Sequence, residues 1–396
     1  MNLLACIAAA GVLISLCYYL ISVVLALRFS RRVDAPPAAL GKIPPRVALL
    51  KPLHGTNASL ADNLMSFLEL AYPRAEYYFG VSDYEDRAAE VPVMLRPRYQ
   101  FANMTMVVGE EPNCANHKIG KVIKMADRAE KCEIFALSDA DIAVERDHLR
   151  RVVSEFSGDE KIGAVTCAYR ARPSGTFASR LEAAFANTDF LPQILISEAI
   201  EPMNYAMGAT MAFRREAIDS IGGFRAVKDM LADDYFLGNL IADRGYRIKL
   251  SSSIVTLTCE ESTLADFWKH QLRWARTYRT ARPISVGTIF THGPFWAIVL
   301  MLSHFSPLAI GAAAAVIAAR IASSAVVIGR VLKMPDMLRD VWLVPIKDLI
   351  MTGVWCASLA SNKVQWAGRE FKIMRGGAMR ELTVGETRAR AERMSA

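Results

Sequence analysis

Short apolar runs, separated by helical patterns and polar loops, occupy the first part of the chain. Residues 47–50, 77–81 and 134–137 are three such runs, and each ends abruptly at polar residues. Runs of this length predict strands that are buried on both faces of a sheet. Between them, apolar residues recur at helical spacing in 59–70 and 88–95. The alternation of strands and helices predicts an α/β fold with a doubly wound, parallel sheet.

Other apolar segments are too long for strands. Residues 3–27 carry no charge and are long enough to cross a hydrocarbon layer of about 30 Å. A cleaved signal peptide is the alternative, but Arg28, Arg31 and Arg32 follow where a small-residue cleavage site would stand. By the positive-inside rule these arginines place the following domain in the cytoplasm. We therefore expect an integral membrane protein with an N-terminal anchor.

The C-terminal half contains further membrane candidates. Residues 284–319 carry no charge and are interrupted by two prolines, which predicts two helices, with Arg320 near the interface or facing protein. The apolar stretch 341–360 includes Lys347 and Asp348, so it is either a third crossing or a re-entrant segment. The predicted organisation is a transmembrane anchor at 1–28, a proline-rich tether at 29–45, a cytoplasmic α/β domain at 46–282, a transmembrane or re-entrant region at 283–362 and a basic tail at 363–396.

Composition supports this organisation and excludes one class of partner. The 396 residues are 53% hydrophobic with a formal net charge of +7. Lys and Arg are scattered and no basic stripe alternates with aromatic residues, so we expect no nucleic-acid partner. Phosphate ligands and an anionic membrane surface explain the charge better. The seven cysteines form no Cys-x-x-Cys pair, and their odd number argues against a disulfide framework.

The first candidate for chemistry is the acidic pair at the end of the third run. Asp139 and Asp141 stand one residue apart, where the strand leaves the sheet. Open α/β sheets bind ligands at this edge. Two carboxylates at this spacing can hold a divalent cation, which borrows further oxygens from a substrate phosphate. The same pair also occurs in solvated turns, so the prediction depends on partners elsewhere in the chain.

Such partners exist, and together they resemble a known family. The motifs are, in order, Lys51-Pro52-Leu53, Val81-Ser82-Asp83, Asn116-His117-Lys118, Ser138-Asp139-Ala140-Asp141, Ala232-Asp233-Asp234-Tyr235-Phe236 and Arg273-Trp274. Their order and spacing resemble the ceramide glucosyltransferases and the similar bacterial hopanoid-biosynthesis glycosyltransferases, of glycosyltransferase family 21. The resemblance covers residues 46–282 and extends to the flanking membrane segments. It implies an inverting enzyme with the GT-A nucleotide-sugar-binding fold, in the bacterial inner membrane.

The resemblance also implies roles for single residues. Asp83 would contact the uridine of a UDP-sugar, Asp139 and Asp141 would hold Mn²⁺ or Mg²⁺ and the diphosphate, and Asp234 would be the catalytic base. The rest of the expected donor site consists of Lys51, Pro52, Leu53, Lys118, Arg273 and Trp274.

The chemical requirements of the reaction, considered without the family resemblance, predict a similar site. An inverting transfer needs a carboxylate within hydrogen-bond reach of the acceptor hydroxyl. Asp234 is the best candidate and Asp233 competes with it, although both would also suit the start of a helix.

On the acceptor side, we expect Asp233 with Gly208, Ala209 and His270. Small residues let the backbone approach a ligand closely, although Gly208 would equally serve packing. His270 stands where the family has Gln or Arg and would act as a pH-sensitive donor. Residues 181–200, interrupted by Asp189, predict an interfacial helix at the mouth of the acceptor site.

The resulting hypothesis is transfer of a hexose, with glucose favoured, from a UDP-sugar to the hydroxyl of a ceramide-type membrane lipid. One alternative is transfer of N-acetylglucosamine from UDP-N-acetylglucosamine to a hopanoid polyol. A second is a processive polysaccharide synthase, which the short membrane portion disfavours, or a non-catalytic protein that binds UDP-sugar or lipid. A binding protein has no need for a carboxylate at Asp234, so that residue favours an enzyme.

Overall fold

Eleven described strands form two sheets in the computed structural model, which describes residues 2–260, 263–366, 369–374 and 376–382. The strands of the large sheet are β1 Val47–Pro52, β2 Ala75–Val81, β3 Asn103–Val108, β4 Ile134–Ser138, β5 Ile142–Ala143, β6 Ile162–Pro173, β7 Thr210–Arg214 and β8 Arg247–Cys259. The small sheet consists of β9 Lys363–Trp366, β10 Arg369–Ile373 and β11 Met379–Glu381.

The large sheet has the order β3-β2-β1-β4-β7-β6-β8-β5. The first four strands are parallel, as the continuous apolar runs predict, and β1 and β4 are fully buried. Strand β7 is antiparallel to β4 and to β6, so the sheet is mixed rather than wholly parallel. The predicted α/β fold class is confirmed.

Helices cover the sheet and continue into the apolar regions. A capping box begins α10, because the Thr263 hydroxyl accepts from the Asp266 N–H while the Asp266 carboxylate accepts from the Thr263 N–H. The helices are α1 Leu3–Asp34, α2 Leu60–Leu68, α3 Glu90–Leu95, α4 His117–Arg128, α5 His148–Ser154, α6 Phe177–Phe185, α7 Leu191–Ile200, α8 Arg215–Ser220, α9 Asp233–Asp243, α10 Leu264–Ala281, α11 Gly293–Ser303, α12 Pro307–Val326 and α13 Leu343–Leu359.

Two described helices are long and apolar enough to cross a membrane, Leu3–Asp34 and Pro307–Val331. A third span is possible if the turn Pro283–Thr291 and α11, which meet at 63°, form one broken crossing. Helix α1 packs against α11 and α12 through a small apolar core that includes Val12 and Trp296. This arrangement agrees with the predicted anchor and with the two predicted helices after residue 284.

The predicted basic tail differs from the structure. Residues 363–381, where described, form the small sheet β9–β11. Phe371, which lies within the predicted tail, is only 1% exposed. It packs against Leu231 in an apolar cluster, because alternate residues of β10 face inward. Residues 383–396 of the predicted tail lie outside the described residues.

Candidate functional site

The candidate site lies where the parallel strands β1, β2 and β4 end. Leu50 of β1 is in register with Leu137 of β4, so the residues that follow each strand emerge side by side. Ser138 is in register with Thr210 of the antiparallel β7, so the residues before β7 lie opposite the acidic pair. The Asp139 N–H accordingly donates to the Ala209 carbonyl at 3.3 Å. The topology therefore brings the predicted acidic motif and the predicted acceptor-side residues together.

Lys51 holds the backbone of the turn that carries the acidic pair. The Lys51 Nζ donates to the Asp139 carbonyl at 2.6 Å and lies 3.8 Å from the centre of the Phe67 ring. Burial lowers the pKa of Lys51 to about 7, and Asp141 and Asp139 only partly oppose this effect. With 1% exposure, Lys51 lies beneath the turn instead of at its surface. It shapes the site through the backbone of the turn.

The acidic pair and the start of α9 are joined by Lys118. Its Nζ lies 2.8 Å from Asp139 Oδ1 and 3.3 Å from Asp233 Oδ2. Burial alone would lower the pKa of Lys118, but the Asp139 and Asp233 carboxylates outweigh it and raise that pKa. Asn116 positions the lysine by capping α4, since its side-chain oxygen accepts from the Ile119 N–H at 3.1 Å and its amide donates to Asp233 at 3.2 Å. A charged ammonium group is thus fixed between two carboxylates.

Asp234, the predicted base, is held differently from its neighbour. Its Oδ2 accepts from the Gly208 N–H at 2.7 Å and its Oδ1 from the Tyr235 N–H at 2.8 Å. Burial and the adjacent Asp233 carboxylate raise the pKa of Asp234 to about 6, although Lys118 and both N–H groups act in the opposite direction. A carboxylate with a pKa near the operating pH is suited to accepting a proton from a hydroxyl.

Gly208 is required by its distance from Asp234. A β-carbon at Gly208 would lie 3.0 Å from the Asp234 Oδ2, closer than ordinary van der Waals contact. The small residue therefore serves the site by letting a backbone N–H reach the carboxylate. The neighbouring Ala209 carbonyl accepts from the Ser138 hydroxyl at 3.1 Å and from Asp139, so it fixes the acidic turn.

Asp141 offers a carboxylate oxygen that fits a cation. Its Oδ1 is buried and accepts no hydrogen bond from any of the described residues. Burial and the neighbouring Asp139 raise the pKa of Asp141 to about 6, which shows that its negative charge is poorly compensated by the protein. No group of three or more His, Cys, Asp or Glu side chains within the described ranges is arranged to hold a metal. A cation at this pair would take its other ligands from substrate and water.

The expected nucleotide side lies at the ends of β1 and β2. Asp83 is exposed, and its Oδ1 accepts from the N–H groups of Glu85 and Asp86 at 2.9 Å each. Pro52 and Leu53 are buried, and the Leu53 carbonyl accepts from the Lys121 Nζ at 2.9 Å. Asp83 therefore stands at the same edge of the sheet as the acidic pair, on a turn that it stabilises itself.

Helix α10 brings an aromatic edge to the opposite side of the site. His270, Trp274 and Tyr278 follow one another at helical spacing, with ring centroids 5.1 Å and 6.0 Å apart. Burial raises the pKa of Tyr278, Asp234 adds to this effect and Arg273 opposes it. His270 Nδ1 lies 3.3 Å from Glu182 on α6. The aromatic edge thus ends beside a buried acidic residue.

The small sheet β9–β11 braces the segment that leads into α9. The Met379 N–H donates to the Asp229 carbonyl at 2.8 Å, and the Leu231 N–H donates to the Gly377 carbonyl at 3.4 Å. A β-carbon at Gly377 would lie 2.3 Å from the Phe236 ring. On the other side, Arg276 and Arg279 of α10 donate to the carbonyls of Lys363 and Ser361 at 2.5 and 3.1 Å. The sheet thus connects the two elements that flank Asp234.

The sequence indicated most of the groups around Asp234, but it missed several supporting ones. Asn116 was included as part of a motif, but its role as the N-cap of α4 was not predicted. Its position directly before a helical pattern is the signal that could have identified that role. The signal for Glu182 was absent, because its role depends on α6 packing against α10. The small sheet was missed because charged residues alternate with apolar ones in it, and the charges indicated a solvated tail.

Comparisons with known proteins show which family the chain belongs to. The chain is 25% identical over 270 residues to ceramide glucosyltransferase 3 of Caenorhabditis elegans, covering 68% of this chain and 58% of the relative. It is 24% identical over 249 residues to ceramide glucosyltransferase 1 of the same organism, covering 63% and 52%. The chain thus spans little more than half the length of these relatives.

Among solved structures, the chain is similar to the mannosyltransferase PcManGT of Pyrobaculum calidifontis in complex with GDP-Man and Mn²⁺. The identity is 22%, the TM-score is 0.49, and the alignment covers 89% of this chain and 98% of the other. The family model named "Glycosyl transferase family 21" matches residues 7–379. Because that match includes nearly all of the chain, the protein belongs to glycosyl transferase family 21, as its motifs predicted.

Proposed function

We propose that this glycosyltransferase moves a hexose, glucose by preference, from a UDP-sugar to the hydroxyl of a ceramide-type membrane lipid, with inversion. The observation that carries the proposal is Asp234, a carboxylate with a pKa raised to about 6 that stands beside the Lys118 network and opposite α10. The similarity to two ceramide glucosyltransferases supports the choice of donor and acceptor. We infer a location in the bacterial inner membrane, with the catalytic domain in the cytoplasm.

On the donor side, the leaving diphosphate must be neutralised. Asp139 and Asp141 would hold a divalent cation, Mn²⁺ or Mg²⁺, which when bound supplies positive charge to the diphosphate. Lys118 presents an ammonium group at the same place, and Asp139 and Asp233 keep it charged and oriented. Arg273, which is half-buried on α10, would add a second cationic group. Asp83, at the end of β2, would bind the uridine.

On the acceptor side, Asp234 would take the proton of the lipid hydroxyl as its oxygen attacks the anomeric carbon. The new bond forms between that oxygen and the anomeric carbon, while the bond from the carbon to the diphosphate oxygen breaks and UDP leaves. Attack from the face opposite the leaving group inverts the configuration. The hydrogen bonds from Gly208 and Tyr235 keep the Asp234 carboxylate pointing in a fixed direction during this step.

The surroundings of the site suit a lipid. Large apolar side chains are exposed on α6, α7, α10 and the turn that follows it, where they would meet the bilayer surface: Phe177, Ile200, Leu264 and Ile284. Such a surface lets the headgroup reach Asp234 while the acyl chains stay in the membrane. We assign Trp274 and His270, on α10, to the path that the acceptor follows to the base.

The experiment that tests the proposal measures sugar transfer by the detergent-purified full chain. The donors are UDP-glucose and UDP-N-acetylglucosamine, and the acceptors are ceramide and a hopanoid polyol, each with Mn²⁺ or with EDTA. We expect a β-linked glucosyl ceramide that forms with Mn²⁺ and not with EDTA. If the only product were the polyol carrying N-acetylglucosamine, the proposed donor and acceptor would be wrong and UDP-N-acetylglucosamine and the hopanoid polyol would take their place. A product of retained configuration, or UDP binding without transfer to any lipid, would contradict the proposal.

A further inference from the structure

Three consecutive carbonyl groups of the acidic turn accept hydrogen bonds from three different elements. Lys51 of β1 donates to the first of them, as described above. The Ala140 carbonyl accepts from the Asn63 Nδ2 of α2 at 3.1 Å. The Asp141 carbonyl accepts from the Thr258 N–H of β8 at 3.3 Å. The backbone that joins the two carboxylates of the acidic pair is therefore held by three separate parts of the fold.

Asn63 is a polar residue on the buried face of α2. It shares that face with Leu64 and Phe67 and is only 3% exposed. An amide in such a position costs free energy unless its polar atoms are paired. The Asn63 nitrogen donates to the Ala140 carbonyl and, at 3.3 Å, to the Ser59 hydroxyl. The second bond orients the amide, so that its nitrogen faces the turn.

Helix α2 supports the acidic turn in more than one place. Phe67, one helical turn after Asn63, packs its ring 3.8 Å from the Lys51 Nζ. The Ser66 hydroxyl accepts from the Val144 N–H at 3.1 Å, just beyond the turn. Asn63 is the residue of this helix that bonds directly to the carbonyl between the two aspartates.

The placement of the two carboxylates depends on this backbone. The Asp141 Oδ1 is buried and accepts no hydrogen bond within the described part of the chain, so its position follows from the course of the turn. A divalent cation accepts oxygen ligands only within a narrow range of distances. It therefore binds more tightly where its ligands are already in place, because less ordering is needed on binding.

We propose that Asn63 is a positioning residue for the divalent cation, because its amide holds the Ala140 carbonyl and thereby keeps Asp139 and Asp141 at the separation that one cation requires. This rests on the proposed function, which assigns a cation to that pair, and it adds the residue that organises the pair. Asn63 acts through the backbone of the turn. Its loss should therefore weaken cation binding without removing a ligand, as is typical of groups that orient metal ligands.

The informative variant is Asn63→Leu, which keeps the branched shape of the side chain and removes the donor. The detergent-purified full chain is titrated with Mn²⁺ at saturating UDP, and free Mn²⁺ is followed by electron paramagnetic resonance. We expect the Mn²⁺ dissociation constant to rise about tenfold or more. The KM for Mn²⁺ in sugar transfer should rise in parallel, while kcat at saturating Mn²⁺ stays within about threefold of native.

The matched control is Asn187→Leu, which removes another buried amide that bonds to backbone. Asn187 is 0% exposed, accepts from the Ala171 N–H at 2.8 Å and donates to the Ala171 carbonyl at 2.9 Å. We expect its melting temperature to fall at least as much as that of Asn63→Leu, because two backbone groups lose their partners. Its Mn²⁺ dissociation constant should remain native. Asn63→Ala is a second variant, in which water can enter and donate to the Ala140 carbonyl, and we expect a smaller rise of the same constant.

Three results would overturn the inference. A native Mn²⁺ dissociation constant in Asn63→Leu, or in Asn63→Ala if the first variant does not fold, shows that Asn63 does not position the pair and leaves the proposed function intact. An equal rise of that constant in Asn187→Leu shows that loss of stability alone is responsible. A native chain that binds UDP but neither Mn²⁺ nor Mg²⁺ removes the cation from the proposed function, and this inference with it.

Discussion

Asp233 and Asp234 are adjacent in sequence, yet their surroundings give them different tasks. Asp233 is 6% exposed and is engaged by Lys118 and by the Asn116 amide. Among the described residues, the hydrogen bonds to Asp234 come from backbone N–H groups, those of Gly208 and Tyr235. Burial raises the pKa of Asp233 as well, but its carboxylate is already engaged by Lys118 and Asn116, so Asp234 is the better placed of the two to accept a proton from a hydroxyl.

The raised pKa of Asp234 predicts a pH dependence. The group must be ionised to accept a proton, and burial and Asp233 raise its pKa to about 6. We expect the initial rate of transfer to fall about tenfold per unit as the pH drops below 6, and to level off above it. Because Asp141 also has a pKa of about 6, the rate is measured at saturating UDP-glucose and Mn²⁺, and UDP binding at the same pH values reports the Asp139 and Asp141 side. A rate that stays constant down to pH 4.5 would contradict this assignment.

For single residues, the sequence was sufficient to identify the four aspartates of the site. Asp139 and Asp141 follow an apolar run that predicts a strand, and Asp233 and Asp234 precede a pattern that predicts a helix. The role of Lys51 could not be predicted in the same way. Its position in a motif indicated contact with the donor, whereas the structure buries it under the acidic turn. The face of the sheet to which a side chain at the end of β1 points depends on the pleat of the strand and on packing against Phe67. The local sequence does not specify either of them.

At the scale of elements, the position of helix α9 depends on a sheet that begins 120 residues after the helix ends, at Lys363. The segment before α9 is paired with β11, and α10 is fixed to the start of β9. Strands buried on both faces were predictable because they are continuous apolar runs. The sheet β9–β11 has one exposed face and a high content of Lys and Arg, so its alternation was not distinguished from a polar tail.

Gly377→Ala tests this dependence. A β-carbon there would lie 2.3 Å from the Phe236 ring, two residues after Asp234, and would push α9 away from its position. We expect kcat to fall about tenfold or more, with little change in UDP binding, since small displacements of catalytic groups reduce rates strongly. Gly376→Ala is the matched control, because Gly376 has the same φ of 86° but no atom within 4 Å of its β-carbon. Equal effects of the two substitutions would show that backbone strain alone is responsible.

At the scale of the whole molecule, a buried network of charges joins the catalytic domain to the apolar helices. Arg320 on α12 donates to Asp348 on α13 at 2.8 Å and pairs with Asp189, between α6 and α7. Lys347 pairs with both aspartates. The sequence placed Arg320 either near the interface or facing protein, and the structure shows that it faces protein. The sequence could not show that Asp189, which we expected on an interfacial helix, completes the network.

Removing one charge from this network leaves a buried partner uncompensated. We expect Asp189→Asn or Lys347→Met alone to destabilise the chain by about 3–5 kcal/mol. The double variant removes one charge of each sign, so it should recover part of that loss. Thermal unfolding in detergent measures both effects. Single variants that unfold like the native chain, or a double variant whose loss equals the sum of the two, would contradict a coupled network.

The most direct test of the central claim, that Asp234 is the base of a sugar transfer, is the transfer rate of Asp234→Asn with UDP-glucose and ceramide. Because an amide has one accepting oxygen, Asp234→Asn keeps only one of the hydrogen bonds from Gly208 and Tyr235, so its melting temperature is measured beside the rate to show that the variant is folded. We expect a loss of at least about 10²-fold in kcat with UDP binding retained. Asp243→Asn, at the exposed end of the same helix, should transfer at the native rate. Transfer by Asp234→Asn within a few-fold of native would contradict the account.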